Sequence, residues 1–315
     1  MSYGCRQLWF WILFLTPITS LAITLNGFNL DNTSVPQSLI QRGGPPRDGI
    51  PAIDNPKFVS AAAASYLRSD DIVLGLNVDG VAKAYPLRIL NWHEIVNDRI
   101  GETHYLISYC PLCGSGMAFE SFSGDVRQTN FSFGVSGLLY NSDVLMYDRA
   151  TESLWSQIHG EAISGPHVGR KLKQVPLTLT RWSGWVERHP DSLVLSVDTG
   201  FRRNYDRDPY AGYAKNAALY FPVANQAPDL YHPKEMVMGV KVKQSFIAFP
   251  FSELTKQRRP QFNVAIENTQ YTVHWDAENQ SAWITDEDQQ VVPSTLLFWF
   301  AWYAFYPDTE IYRAQ

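Results

Sequence analysis

The chain has 315 residues, 45% of them hydrophobic, and a formal net charge of −5. That apolar share is ample for a sizeable core in one large or two modest domains, and the mild acidity gives no electrostatic reason to expect nucleic acid or an anionic membrane as partner. Three cysteines are too few for a scaffold built on disulfides.

The first stretch reads MSYGCRQLWFWILFLTPITSLAITLNGF. Arg6 supplies a weakly positive start, Leu8 to Leu15 form an apolar run, and Ser20 and Ala22 offer small residues at a cleavage site. Residues 1–22 are therefore expected to be a signal peptide, with export to a periplasmic or extracellular compartment. The run breaks at Thr16-Pro17, far short of the roughly 20 apolar residues that span a bilayer, so no stable membrane anchor is expected after cleavage. Cys5 would leave with the peptide, and Cys110 and Cys113 would remain.

Residues 23–56 are rich in Asn, Pro and Gly and end in GGPPRDGIPAIDNP, the composition of an extended arm. Asn55-Pro56 then reads as a helix start leading into KFVSAAAASYL. From Asp71 to about residue 290 the apolar segments are short, β-branched or aromatic, and bounded by turn residues, which argues strands. Ser294 precedes TLLFWFAWYAF, expected to be a buried terminal helix.

Segment 73–90, VLGLNVDGVAKAYPLRIL, aligns without a gap on segment 237–254, VMGVKVKQSFIAFPFSEL. Gly75 meets Gly239, Ala84 meets Ala248, and Pro86 meets Pro250. Each copy reads as a hairpin, with Asp79-Gly80 as the turn of the first. After a slip of two residues, Tyr109 meets Trp275 and Cys110 meets Asp276, so the second copy makes its turn with Asp-Ala-Glu-Asn. A turn that needs no cysteine in one copy points to chemistry for the pair in the other. The expected fold is mainly β (β-rich α+β): a single domain over 57–315, with pseudo-repeats near 72–121 and 236–286 and a few short helices.

Cys110-Pro-Leu-Cys113-Gly resembles a metal knuckle, in which Pro fixes φ, Gly permits a positive φ and both sulfurs face one side. A second cysteine pair is missing, so further ligands for Zn²⁺ or Cu⁺ must come from elsewhere. His93 in NWHEIVND is the first choice, with Glu94 or Asp98 orienting it. Met146 would suit Cu⁺, whereas Asp143 and Asp148 would suit Zn²⁺. Transport, storage and metal-dependent catalysis would all use such a site. Thiol-disulfide redox chemistry is one alternative, although GSGMAFESF reads as a return strand and not the helix that would stabilise a thiolate. A non-catalytic module binding a sugar or a protein is the other, and Tyr205, Arg207, Asp208, Tyr210 and Tyr213 in NYDRDPYAGY form a loop that could serve it.

The motifs GGPPRDGIPAIDNPKFVSA, NWHEIVND, SYCPLCGSGMAF, FGVSGLLYNSDVLMYDRATESLWSQ and FWFAWYAFYPDT together resemble the exported bacterial and archaeal family catalogued as domain of unknown function 3179. The resemblance runs over about residues 40–310. It implies one continuous domain whose motifs contain His93, Cys110 and Cys113, and it implies no activity.

Overall fold

The computed structural model describes Met1, residues 23–120 and residues 132–314. Apart from Met1, the expected signal peptide, with Cys5, lies outside the described residues. The fold is mainly β: five small sheets of four or five strands in a propeller-like ring, a two-stranded ribbon and, among the described residues, four α-helices. No helix among the described residues is long and apolar enough to cross a membrane.

The first hairpin pairs Ile72–Val78 with Val81–Pro86. Asp79 and Gly80 both take positive φ, +51° and +80°, the turn whose twist matches that of the flanking strands. Pro86 then leads directly into the helix Leu87–His93, its φ of −65° already suited to a helix start. A meander of Ile95–Ile100, Thr103–Cys110 and Ser115–Glu120 follows. Further along the chain, Thr178–Arg181 returns antiparallel to the first hairpin strand, the helix Trp182–Arg188 crosses it, and Leu193–Leu195 runs parallel to the second.

The C-terminal part has its own hairpin, Met236–Val242 with Ser245–Pro250, followed by the helix Phe251–Gln257. Its meander is Gln261–Ile266, Thr269–Asp276 and Ser281–Thr285. Ser294–Phe298 then returns antiparallel to the first hairpin strand, the helix Trp299–Phe305 crosses it, and Glu310–Ile311 runs parallel to the second. Between the first meander and Thr178, a separate sheet is built from Phe133–Tyr140, Asp143–Asp148, Leu154–Ser156 and Glu161–Ser164.

Three sequence expectations shift. KFVSAAAASYL is not a helix: Phe58–Ser60 is a strand paired with Leu193–Leu195, and Ala61–Ala63 makes one 3₁₀ turn. Strand pairing outweighs alanine's helix preference in a segment too short to nucleate alone. The terminal apolar run divides, with Ser294–Phe298 in a sheet and only Trp299–Phe305 helical. Residues 23–56 are extended, but they are also part of the body. Ile40–Arg42 pairs with Leu138–Tyr140, Ile53 bridges to Val96, and Phe28 and Leu30 are buried.

Two glycines fix how closely the crossing helices approach the hairpins. A Cβ on Gly75 would lie 2.2 Å from the Trp185 ring, and one on Gly239 would lie 2.2 Å from the Trp302 ring. Both indoles are buried and cannot withdraw without opening the core. Gly239→Ala and Gly75→Ala should therefore each destabilise the protein by about 1–3 kcal/mol, the usual cost of overpacking a core. Urea unfolding followed by circular dichroism checks this, and a midpoint unchanged from wild type would refute the packing.

Candidate metal centre

Two hairpin turns from different sheets meet at the cysteines. Strand Thr103–Cys110 ends in the turn Pro111-Leu112-Cys113-Gly114, where Cys113 N–H donates to Cys110 O at 3.2 Å. Gly114 has φ +62° and lies under the Phe298 ring, where a Cβ would come within 3.0 Å. Both requirements favour glycine at this position. The chain then returns with Ser115 opposite Cys110.

The second turn is Tyr140-Asn141-Ser142-Asp143, with Asn141 and Ser142 both at positive φ, +52° and +64°. Non-glycine residues hold that conformation only when it is secured from outside. Asn141 Oδ1 accepts from Ala224 N–H at 2.9 Å, its Nδ2 donates to Ala304 O at 3.3 Å, and Ser142 Oγ donates to Phe221 O at 2.7 Å. So anchored, the turn sets Ser142 O 3.4 Å from Cys113 Sγ and 3.9 Å from Cys110 Sγ. It also starts the next strand at Asp143, a carboxylate oxygen of which lies with both sulfurs in a cluster whose atoms are all within 4.8 Å of one another.

The cluster is buried and acidic. Cys110 and Cys113 are free thiols, 1% and 0% exposed, and Asp143 is 0% exposed. Asp143 Oδ2 accepts from Ile158 N–H at 3.1 Å, but Oδ1 has no hydrogen-bond partner. The buried hydroxyl of Tyr213 lies close enough for the charges of both cysteines to act on it, with the Tyr220 backbone amide as its nearby donor. Orphaned buried polar atoms are uncommon, and Asp143 Oδ1 beside a pair of sulfurs asks for an explanation. Burial pushes Asp143 up to about 7, against smaller opposing effects of the Ile158 N–H, the two thiols and the Val144 N–H. Burial likewise raises Cys110 and, more strongly, Cys113, with the carboxyl of Asp143 adding to both. Glu94 is pushed up to about 8, first by burial and then by the charge of Asp143, while the Tyr210 hydroxyl works against the rise. Glu94 caps the helix Leu87–His93 in a left-handed conformation, φ +57°. The nearby cation Lys234, 3.6 Å above the Tyr213 ring, spends its ammonium on the carbonyls of Asn216 and Ala218.

The site is roofed by the long connection after Leu195, which carries only the 3₁₀ turn Tyr213–Lys215 before Met236. Here the residues grouped in NYDRDPYAGY separate into anchors and cover. Trp92 Nε1 donates to Arg207 O at 3.1 Å and Asn91 Nδ2 to Asp208 Oδ1 at 3.1 Å, while Tyr210 and Tyr213 face the acids.

The other expected ligands lie elsewhere. His93 is fully buried, with Nδ1 2.8 Å from Pro51 O and Nε2 2.7 Å from the Tyr205 hydroxyl. A carbonyl only accepts, so Nδ1 carries the proton and Nε2 accepts from Tyr205. Burial lowers the His93 pKa, and the neutral ring has both nitrogens in use. Asp98, the proposed orienter, is instead the buried partner of Lys83, at 2.8 and 2.9 Å, and of Tyr85 at 2.5 Å. Met146 is fully buried on its strand between Val135 and Trp155. Asp148 accepts from Thr151 N–H at 2.6 Å and from Trp155 Nε1 at 2.9 Å, which closes the tight turn after its own strand. The side chains of His93 and Asp148 are thus engaged by other partners and Met146 is packed in the core, and the carboxylate grouped with the thiols is that of Asp143. Glu94 was named only as an orienter for His93. Of the two aspartates expected to suit Zn²⁺, it is Asp143 that lies with the thiols, and the turn pair Asn141-Ser142, which puts the next residue at a hairpin end, is the signal that separates it from Asp148.

No curated protein and no solved structure matches the chain. A family model described as "Protein of unknown function (DUF3179)" matches residues 47–309, which takes in both turns, the helix before the meander and most of the roof. The chain belongs to the DUF3179 family.

Proposed function

We propose that the protein binds a thiophilic divalent cation, Zn²⁺, through Cys110, Cys113 and Asp143. The observation that carries this reading is the unpartnered Oδ1 of Asp143, buried beside two free buried thiols. Two sulfurs and a carboxylate are zinc donors, whereas Cu⁺ would prefer a third soft ligand, and Met146 is engaged in the core. Three protein donors leave a tetrahedral ion one position for water or a further ligand. A cation there would also offset the mutual repulsion of Glu94, Asp143 and the thiols, which as anions are too costly to bury together. Thiol redox chemistry is less well supported, because a reactive cysteine needs a depressed pKa and burial raises both of these.

We also infer that residues 72–195 and 236–311 contain two copies of one unit, the second of which has no metal site. Both have the same succession of paired strands and helices, and both seat an indole on a hairpin glycine. In the second copy Asp276 takes the place of Cys110, and its carboxylate accepts from Asn279 N–H and Nδ2 at 3.0 and 2.9 Å, a turn closed by its own side chains. Export, read from residues 1–22, is retained as part of the proposal.

Elemental analysis of protein exchanged into zinc should find about one equivalent of Zn²⁺ per chain. Cys110→Ser, Cys113→Ser and Asp143→Asn should each weaken binding at least about tenfold, and His93→Ala should not. A zinc-free wild type whose two thiols cycle reversibly to a disulfide would overturn the reading.

The pH dependence has a definite sign. Glu94 and Asp143 rise to about 8 and about 7 in the fold from ordinary values of 4.5 and 3.8, so between those limits the native state holds more protons than the unfolded chain. Their contribution to stability is complete below the unfolded values and is lost as pH climbs through the folded ones. The metal-free protein should lose urea resistance from pH 5 to pH 8, and Glu94→Gln should reduce that loss. Zinc affinity should rise over the same interval, because binding displaces protons. Parallel urea titrations of the metal-free and zinc-loaded forms test both statements.

A further inference from the structure

A second site lies on the C-terminal part, away from the cysteines. Two clefts, of about 750 and 810 Å³, flank the strand Gln261–Ile266 and share Arg259 and Gln261 as a common wall. The first is lined by Arg188, Arg258 and Arg259, and no carboxylate lies within ion-pair distance of any of them. Two acids line the same cleft: Asp276 has both oxygens engaged by Asn279, and Glu187 acts with Asp276 on Arg188 through charge without reaching ion-pair distance. The second cleft is lined by side-chain amides, Gln257, Gln261, Asn263 and Gln289. A protein of net charge −5 thus sets three guanidiniums, against two acids, along one cleft, and the cleft adjoining it offers neutral donors and acceptors.

The aromatic rings in the groove are already covered. Trp283 stacks on His274 at 4.9 Å with an interplanar angle of 1°, and the Arg188 guanidinium lies 5.5 Å from its centroid. Tyr312 is stacked with both Phe249 and Phe262. Nucleic acid recognition by single strands depends on open aromatic faces for the bases, which these rings do not offer. Guanidiniums bind carboxylates through paired N–H donors, and amides match hydroxyl groups. From this we infer that the two clefts form one groove for an acidic oligosaccharide, a chain of hydroxylated rings bearing carboxylates. The arginine end takes the carboxylates and the amide end the hydroxyls. This site is separate from the metal centre and does not depend on it.

Titration calorimetry of the full chain with tri-galacturonate should give saturable binding. Arg188→Gln and Arg259→Gln should each weaken it about tenfold or more, the expected loss of a charge-assisted hydrogen bond. Maltotriose, of similar length and without carboxylates, should bind at least about tenfold more weakly than tri-galacturonate. Cys110→Ser should leave the affinity unchanged, which separates this proposal from the fate of the zinc reading. Failure of tri-galacturonate to bind, or indifference to both arginine substitutions, overturns it. Equal or tighter binding of tripolyphosphate would reduce the groove to a patch of charge, and equal or tighter binding of oligouridylate would make it a nucleic acid surface. Either result also overturns it.

Discussion

One backbone hydrogen bond holds the cysteine turn in place: Phe298 N–H, at the start of the helix Trp299–Phe305, donates to Cys113 O at 2.8 Å. A helix start has amides with no partner inside the helix, and a buried one left unpaired costs about 1–3 kcal/mol. The C-terminal part meets that need with the carbonyl of the knuckle. The reverse bond exists as well, from Arg181 N–H at the start of the helix Trp182–Arg188 to Asn279 O at 3.2 Å. Each part thus fastens the turn of the other. The knuckle is positioned by its backbone, which leaves its sulfurs free for other work, whereas the Asp276 turn uses its side chain to close itself.

Against that frame the buried polar groups sort by whether they are satisfied. Asp98 is neutralised by Lys83 and bonded to Tyr85, and Asp148 gathers the donors of its own turn and of Trp155. Gln157 and Ser115, beside the knuckle, bond each other at 2.6 Å. These are what a packed interior requires of its polar groups. Asp143, Glu94 and the two thiols differ in being four acids held together without a basic side chain assigned to them, with Asp143 Oδ1 accepting no hydrogen bond of good geometry. The exposed arginine clefts present the converse, three guanidiniums against the two acids Glu187 and Asp276 and no ion pair among them. Uncompensated charge of one sign is the feature that both sites share, and in each it favours a ligand of the other sign.

Much of the local architecture was legible in the residues. Asp79-Gly80 specified its hairpin, because few pairs other than Asn-Gly or Asp-Gly accept two positive φ values so readily. The indoles that pack on Gly75 and Gly239 were not legible, because both come from helices remote in sequence. One expected helix is absent and one is shortened, because alanine preference over 57–67 and apolar character over 294–298 both yielded to strand partners remote in sequence.

By itself the sequence determined a β-rich chain with a paired-cysteine turn, since these depend on alternation, turn residues and spacing over short range. Only the tertiary structure decided what meets the sulfurs. His93 lies in the same stretch of chain as the knuckle, yet its ring turns to Pro51 and Tyr205. Asp143, on another hairpin, reaches the thiols because the pinned Asn141-Ser142 turn delivers it there. Which donor faces which is set by contacts across sheets, and neither spacing nor propensity along one strand carries that information.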